Sequence, residues 1–282
     1  MIEKKEKRLM KLKWPLHEIE IASEDYEFME KLANNNLFKL VSNEMSYWRW
    51  NNLCRVADKV KVKCQQRGYD PKQVAPKFLS QFFEGASLED SDNLQEIWAE
   101  IFLGESEKEN SYSLRTLDVL KKMSHEEAQL FFNVSPLFLE IHNGLFLFES
   151  PKLFDTYKLS YEKRLKLQDV GLIGEQPMLP TAFPFNSNHQ LPIILGNQVL
   201  ILTDTTKTRE ILNLRVYNVS NAGRELFNII NSSTDNDYNK ALGYELENTL
   251  GESISVSLSN IISISPNGGI EIEEENLLRK ES

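Results

Sequence analysis

The segment DNLQEIWAEIFLG, residues 92–104, carries the clearest structural signal in the sequence. Its apolar side chains recur every three or four positions, which is the spacing of one face of an α-helix. Asp92 can cap the first turn, Gln95 can return a hydrogen bond to it, and Gly104 can end the helix. The segment therefore predicts an amphipathic helix with one buried stripe, formed by Leu94, Ile97, Trp98, Ile101 and Phe102.

The same helical spacing occurs on both sides of this segment. Apolar groups in residues 43–67, among them Met45 and Trp48, recur at three- and four-residue steps, which predicts a second buried stripe. Gly68 can adopt the left-handed conformation that often follows a helix. Ser124 and Glu127 have the reciprocal pattern of a capping box. The sequence thus predicts further helices over residues 43–67, from Pro76 to Gly85, after Ser113 and after Ser124.

The spacing of apolar residues changes at about residue 136. An apolar run on each side of residues 142–144, His-Asn-Gly, predicts a β-hairpin with the Asn-Gly pair in its turn. Gly196-Asn197 predicts a second hairpin, and the prolines of residues 174–192 predict a loop or linker. The other predicted elements are a helix over 160–170, a strand over 211–217, helices after Ser220 and over 238–250, and strands between Ile254 and Ile272 around a turn at Asn267-Gly268.

These patterns predict an α+β protein with a helical N-terminal half and a smaller mixed half that contains β-hairpins. The predicted domains are a basic helical extension over residues 1–42, a helical domain over 43–135 and a mixed domain over 136–282. In the mixed domain a helix precedes a hairpin, which is the order of the helix and wing in a winged-helix domain. We interpret this part as a winged-helix-like element.

Composition and charge restrict the function classes. The 282 residues include 32 basic and 42 acidic side chains, a formal net charge of −10, which disfavours a nucleic acid as the main partner. Cys54 and Cys64 lie ten positions apart on one predicted helix. Their Cα atoms would be about 15 Å apart, too far for a disulfide, which predicts free thiols in a reducing compartment. No secretory signal or membrane span is recognised, so we expect a cytoplasmic protein.

The sequence contains no motif with a defined chemistry. The four histidines have no metal-ligand spacing, and the glycine-rich nucleotide-binding motifs and the hydrolase elbow are absent. Residues 84–127 contain 12 acids and 4 bases, and Glu96 and Glu100 are expected on a solvated acidic helix face. We therefore predict no catalytic residues, no metal and no cofactor, and the enzyme question stays open with a preference against an enzyme.

One aromatic and basic cluster is a candidate partner contact. Residues 47–50 read Tyr-Trp-Arg-Trp, a combination that can stack on other rings. Because Trp48 falls on the predicted buried stripe, at least half of the cluster is assigned to the core. Arg49 and Trp50 are the candidate partner-binding residues.

Five blocks of the chain have the pattern of packed helices, and they follow one another in a recognisable order. They are Val74–Leu79, Ala86–Asp90, Leu94–Ala99, Ser113–Lys121 and Ser124–Ala128. These blocks resemble the bacterial family known as domain of unknown function 2806, and their order is similar in the abortive-infection alpha domain family. The resemblance implies a role in bacterial antiviral defence or a related stress response, and no catalytic residue is carried over from it.

Arg115 is a third candidate partner-binding residue, because it is a polar position inside the block Ser113–Lys121. The alternative interpretation, which we favour, is an ion pair between Arg115 and a neighbouring helix, for example one that carries Glu96 or Glu100.

The functional expectation is a non-enzymatic protein-interaction or sensor component of bacterial antiphage defence, of the abortive-infection type. It would bind a protein partner or a second copy of itself through apolar helix faces. One alternative is a winged-helix nucleic-acid-binding regulator. Another is a metal-dependent nuclease whose carboxylates come from distant parts of the chain.

Overall fold

The computed structural model describes residues 10–13, 18–21, 36–230, 234–265, 269–273 and 276–277, with side chains described from Met45 to Glu273 within these ranges. The chain divides into two compact units, Met1–Lys122 and Met123–Ser282. Helices dominate the first unit, and antiparallel strands form the main sheet of the second. The predicted α+β class is confirmed. The boundary between the units lies earlier than the one predicted between residues 135 and 136.

The described part of the first unit consists of one hairpin and a set of helices. Strands β1 (Met10–Lys13) and β2 (Glu18–Ile21) pair in antiparallel fashion, in a region for which a helical extension was predicted. The rest of that predicted extension before residue 36 lies outside the described residues. The helices are α1 (Asn36–Arg67), α2 (Pro76–Ala86), α3 (Asp92–Glu107) and α4 (Leu114–Lys122).

Trp98 occupies the centre of the core of the first unit. Its side chain has no exposed surface, and its ring meets the ring of Phe82 edge to face at a centroid distance of 5.5 Å. A Cβ atom at Gly85 would lie 2.3 Å from the Trp98 ring, so only glycine allows α2 to approach α3 at this point. Phe102 completes the cluster at 5.4 Å from Phe82. The stripe predicted from residues 92–104 is therefore the core-facing side of α3.

The two ends of α3 differ from the prediction. The N-cap is Ser91 rather than Asp92, and the Glu89 carboxylate accepts the hydrogen bond of the Ser91 amide at 2.8 Å. Gly104 does not end the helix. It lies within α3, which continues to Glu107. The Tyr112 ring packs against it and would lie 2.6 Å from an added Cβ atom, which favours glycine at this position. The predicted start of α4 after Ser113 and the capping box of Ser124 and Glu127 are confirmed.

The second unit is built on one antiparallel sheet. Its strands follow the order β11-β10-β7-β6-β3-β4-β9, with β12 also paired to β10, and β5 and β8 form a separate pair. Every pairing is antiparallel, which is typical of strands joined by hairpins. The strands are β3 (Phe138–Ile141), β4 (Gly144–Phe148), β5 (Thr181–Pro184), β6 (Gln190–Leu195), β7 (Gln198–Asp204), β8 (Ile211–Leu214), β9 (Val216–Asn218), β10 (Ile254–Ile264), β11 (Ile270–Ile272) and β12 (Asn276–Leu277).

The helices of the second unit are short, and several begin at a polar cap. Ser160 and Asp235 each accept a hydrogen bond from the third residue after the cap. Ser220 does the same for the amide of Gly223, as the sequence predicts. The helices are α5 (His125–Val134), α6 (Pro151–Thr156), α7 (Tyr161–Asp169), α8 (Asn221–Ile230) and α9 (Asn236–Leu250), with a 3-10 turn at Ser135–Leu137.

Both predicted hairpins are confirmed, with one change in the first turn. Ile141 pairs with Gly144, so His142 and Asn143 form the turn, and His142 takes the positive φ of 52°. In the second hairpin Gly196 has a φ of 62°.

The prediction of a loop over residues 174–192 is wrong in part, because β5 lies in that range and β6 begins there. The single strand predicted over residues 211–217 is divided between β8 and β9. Asn267-Gly268, the predicted last turn, lies outside the described residues.

The predicted winged-helix-like element has its helix, α7, and its hairpin, β6–β7. However, β6 also pairs with β3, and β7 also pairs with β10. The hairpin therefore lies inside the sheet with both of its outer sides paired, rather than standing free as a wing. Within the described residues, no helix combines the length and the apolar composition that a bilayer crossing requires.

Candidate functional site

Residues Met45–Trp50 of α1, called here the aromatic segment, present large apolar groups at the surface. Tyr47 is 73% exposed, Met45 46% and Trp50 40%. Trp48 is half-buried and Arg49 is exposed. The sequence assigned Met45 to the buried stripe, and that assignment is wrong. The candidate residues Arg49 and Trp50 are both exposed on α1, and Trp50 lies on the same side of the helix as Tyr47, three positions earlier.

The positive charge of Arg49 acts on Glu84 of α2. A hydrogen bond from Lys121 of α4 is the main cause that lowers the pKa of Glu84, and Arg49 contributes to the same shift. The aromatic segment therefore adjoins an acidic side chain that already has a cationic partner. Arg49 is not needed to neutralise Glu84 and can interact with a further group.

The C-terminal half of α1 forms a ladder of ion pairs with α3. Lys59 lies 2.7 Å from both Asp92 and Glu96, and Lys63 lies 2.9 Å from both Glu96 and Glu100. Arg67 binds both oxygens of Glu100, at 2.8 and 2.7 Å. These residues recur every four positions on each helix, so successive turns face each other. The prediction that Glu96 and Glu100 lie on a solvated acidic face is wrong, because both carboxylates face cations on α1.

Electrostatic interactions within the ladder favour the charged forms of Glu96 and Glu100. Partial burial raises the pKa of Glu96, but hydrogen bonds from Lys59 and Lys63 outweigh it, so the pKa lies below the usual value. The same balance, with Lys63 and Arg67 as donors, lowers the pKa of Glu100. The ladder is therefore a structural contact between two helices rather than a pair of carboxyl groups tuned apart for acid–base catalysis.

Arg115 lies at the exposed surface of α4. Glu96 and Glu100, the partners considered for it from the sequence, instead bind Lys59, Lys63 and Arg67. The ion-pair interpretation of Arg115 with these two acids is therefore wrong. Its role as a partner-binding residue stays a prediction.

The described residues provide little reactive chemistry. Among them, no three His, Cys, Asp or Glu side chains converge in a way that could hold a metal ion. Cys54 and Cys64 are free, as the spacing predicts. Burial, with help from Asp58 and Asp70 respectively, raises the pKa of each thiol, which favours the thiol over the reactive thiolate at neutral pH.

The second unit contains a cleft that no motif or spacing in the sequence predicts. Its volume is about 350 Å³, within the range of small-ligand sites, and it lies between α5, the 3-10 turn and the connection from α6 to α7. The residues that form it are locally ordinary and converge only through tertiary structure. The apolar floor consists of Leu130, Val134, Leu137 and Leu159, and the polar wall of His125, Glu126, Gln129, Asn133, Tyr157, Lys158 and Lys163.

Comparisons with known proteins give one match. A family model described as "Protein of unknown function (DUF2806)" matches residues 44–243. No curated protein and no solved structure matches the chain. The matched range includes every residue of α1 whose side chain is described. It also includes the ion-pair ladder and every residue of the cleft.

Proposed function

The chain belongs to the DUF2806 family, and we propose that it is a non-enzymatic protein-interaction component of bacterial antiphage defence. The observation that carries the proposal is the aromatic segment, where Tyr47 and Trp50 are exposed on a helix that is held firmly elsewhere. Tyrosine, tryptophan and arginine are the residue types that dominate binding energy at protein interfaces. The antiphage role is supported by the similarity of the helical blocks to the abortive-infection alpha family.

The segment suits a rigid contact rather than a folding-upon-binding contact. Asn52, two positions after Trp50, is buried and donates a hydrogen bond to the Ser87 carbonyl at 3.1 Å. The ladder of Lys59, Lys63 and Arg67 then fixes the following turns. A preorganised helix loses little conformational entropy when it binds, so its aromatic side chains can contribute more of their burial energy to affinity.

The test compares the full chain with a Tyr47→Ser/Trp50→Ser double variant. Tyr244→Ser serves as the matched control, because Tyr244 is 37% exposed on α9 in the other unit. Molar mass is measured by light scattering over a range of concentrations, and bound proteins are captured from cells under phage challenge. We expect a partner, or a second copy, that is lost in the double variant and kept in the control.

Phage protection is measured with the same three chains. We expect the wild type and Tyr244→Ser to protect cells and the double variant to fail while its unfolding curve is unchanged. A monomer without a bound partner, with equal protection by all three chains, would contradict the proposal. Salt-sensitive binding to duplex DNA, or metal-dependent nuclease activity lost on one Asp or Glu substitution, would replace it.

A further inference from the structure

The cleft of the second unit has the composition of a ligand site. Leu137 and Leu159 are 5% and 1% exposed, so the floor is apolar and well packed. Gln129 and Asn133 hydrogen-bond to each other at 3.1 Å along one wall, and this contact fixes their amide groups. An apolar body with a few fixed polar groups is the usual arrangement of a small-molecule site.

Two lysines give the cleft a positive wall in a chain of net charge −10. The Lys163 ammonium donates a hydrogen bond to the backbone carbonyl of Lys158 at 2.6 Å, which ties the Lys163 side chain to the segment that carries Lys158. Within the described part of the chain, neither ammonium forms an ion pair with a carboxylate. The acid of the cleft, Glu126, faces Lys166 instead, at 3.8 Å. The charge complement of this wall is therefore an anion.

The backbone at Lys158 provides a second observation. Its φ is 54°, a left-handed conformation, and the next amide, Leu159, donates to the Phe154 carbonyl at 2.7 Å. This is the motif that ends many helices and in which glycine is the favoured residue. Lysine occupies the position despite the steric cost, and its side chain lines the cleft.

We propose that this cleft binds a small organic anion with an apolar chain, such as a medium-chain carboxylate. The chain lies over Leu130, Val134 and Leu159, and the carboxylate accepts hydrogen bonds from Lys158 and Lys163. Tyr157 also lines the cleft. The site is separate from the aromatic segment, so either proposal can fail without the other.

The test is a calorimetric titration of the full chain with octanoate, and with octanol as the neutral analogue of equal chain length. We expect saturable octanoate binding at one site and octanol binding at least about tenfold weaker, because the alcohol lacks the charge-assisted hydrogen bonds. Octanoate should also raise the melting temperature, since a ligand that binds only the folded state stabilises it.

Three variants locate the site. Lys158→Gly removes the amine and keeps a backbone suited to positive φ, so it should bind octanoate about tenfold more weakly without a lower melting temperature. Lys163→Gln should weaken binding similarly. Lys240→Gln is the matched control, because Lys240 is exposed on α9, and it should bind as the wild type does. Equal binding of octanoate and octanol, equal effects of Lys163→Gln and Lys240→Gln, or no saturable octanoate binding overturns the proposal.

Discussion

The two halves of helix α1 share one backbone and have opposite surroundings. In the C-terminal half Val56, Ala57 and Val60 are buried, and the lysine and arginine side chains of the ladder face carboxylates on α3. In the N-terminal half the aromatic segment leaves Tyr47 and Trp50 at the surface. Helices in proteins are stabilised mostly by packing of one face, so the C-terminal half holds the helix, and the exposed groups of the aromatic segment can contact a partner.

The largest expected effect on the free energy of unfolding comes from introducing an aspartate into each half of α1 in turn. Val56→Asp places a carboxylate where the valine side chain is 0% exposed, and burying an unpaired charge costs several kcal/mol, enough to unfold the first unit. Tyr47→Asp places the same group on a surface, where a change of about 0.5 kcal/mol or less is expected. Urea unfolding followed by circular dichroism measures both. If the two variants lose similar unfolding free energy, the two halves of α1 do not differ in their contribution to stability.

A carboxylate of the second unit contrasts with those of the ladder, because hydroxyl and amide hydrogen-bond donors, rather than cations, bind it. Asp204 is buried and accepts hydrogen bonds from the Thr206 hydroxyl and from the amides of Thr206, Thr208 and Arg209. The Thr206 hydroxyl is the largest cause that lowers its pKa from 3.8 to about 2. Since the folded pKa lies below the unfolded one, its contribution is complete above pH 3.8 and is lost as the pH falls through about 2.

We therefore expect Asp204→Asn to unfold at lower urea concentration than the wild type at neutral pH, with the difference shrinking in acid. Hydrogen bonds from neutral donors to a buried carboxylate are screened little by salt, so added sodium chloride should leave this difference unchanged. A pH-independent difference would show that the carboxylate charge has no part in holding the turn. Thr208→Val serves as a control that keeps the carboxylate and the Thr208 amide.

The sequence predicts the local part of this organisation well. The capping box at Ser124, the cap at Ser220 and the stripe on α3 each depend on residues within a few positions of one another, and the structure has all three. Local hydrogen bonds and helical spacing are properties of short segments, so they can be recognised without tertiary information.

The parts that the sequence did not predict depend on contacts between distant segments. Glu96 and Glu100 have the spacing of a solvated acidic face, and only the position of α1 opposite α3 provides their cations. The cleft unites residues of α5 with Lys158, from the connection between α6 and α7, and with Lys163 of α7. Met45 has helical spacing with the buried stripe, yet it lies where no described element covers it. Periodicity gives the face of a helix but not the extent of its partner.

A smaller effect is expected from breaking the ladder at its centre. Glu100 binds Lys63 at 2.9 Å and Arg67 at 2.7 Å, and Glu100→Gln removes the charge from both pairs. Pairs near the surface contribute little each, so the expected loss is about 1 kcal/mol. Because the folded pKa of Glu100 is lowered, the wild-type advantage is present above its unfolded pKa and disappears as the pH falls through the folded value.

The salt dependence of the stability difference distinguishes the prediction for Glu100 from that for Asp204. Sodium chloride at about 1 M screens exposed ion pairs, so the difference between the wild type and Glu100→Gln should shrink with added salt. Glu109→Gln is the matched control, because it removes an acid that follows α3 and lies outside the ladder. A difference that is independent of salt would mean that Glu100 acts by packing rather than by charge.

The smallest effect compares Arg49 and Arg67, two of the three arginines of α1. Arg67→Gln removes the two hydrogen bonds to Glu100, and the expected loss of unfolding free energy is about 0.5–1 kcal/mol. Arg49→Gln should cost less than about 0.5 kcal/mol, because Lys121 continues to bind Glu84. The order should reverse for partner capture, where Arg49→Gln weakens binding and Arg67→Gln does not. Since stability and binding are measured on the same two variants, a shared order in both assays would show that the halves of α1 do not have separate roles.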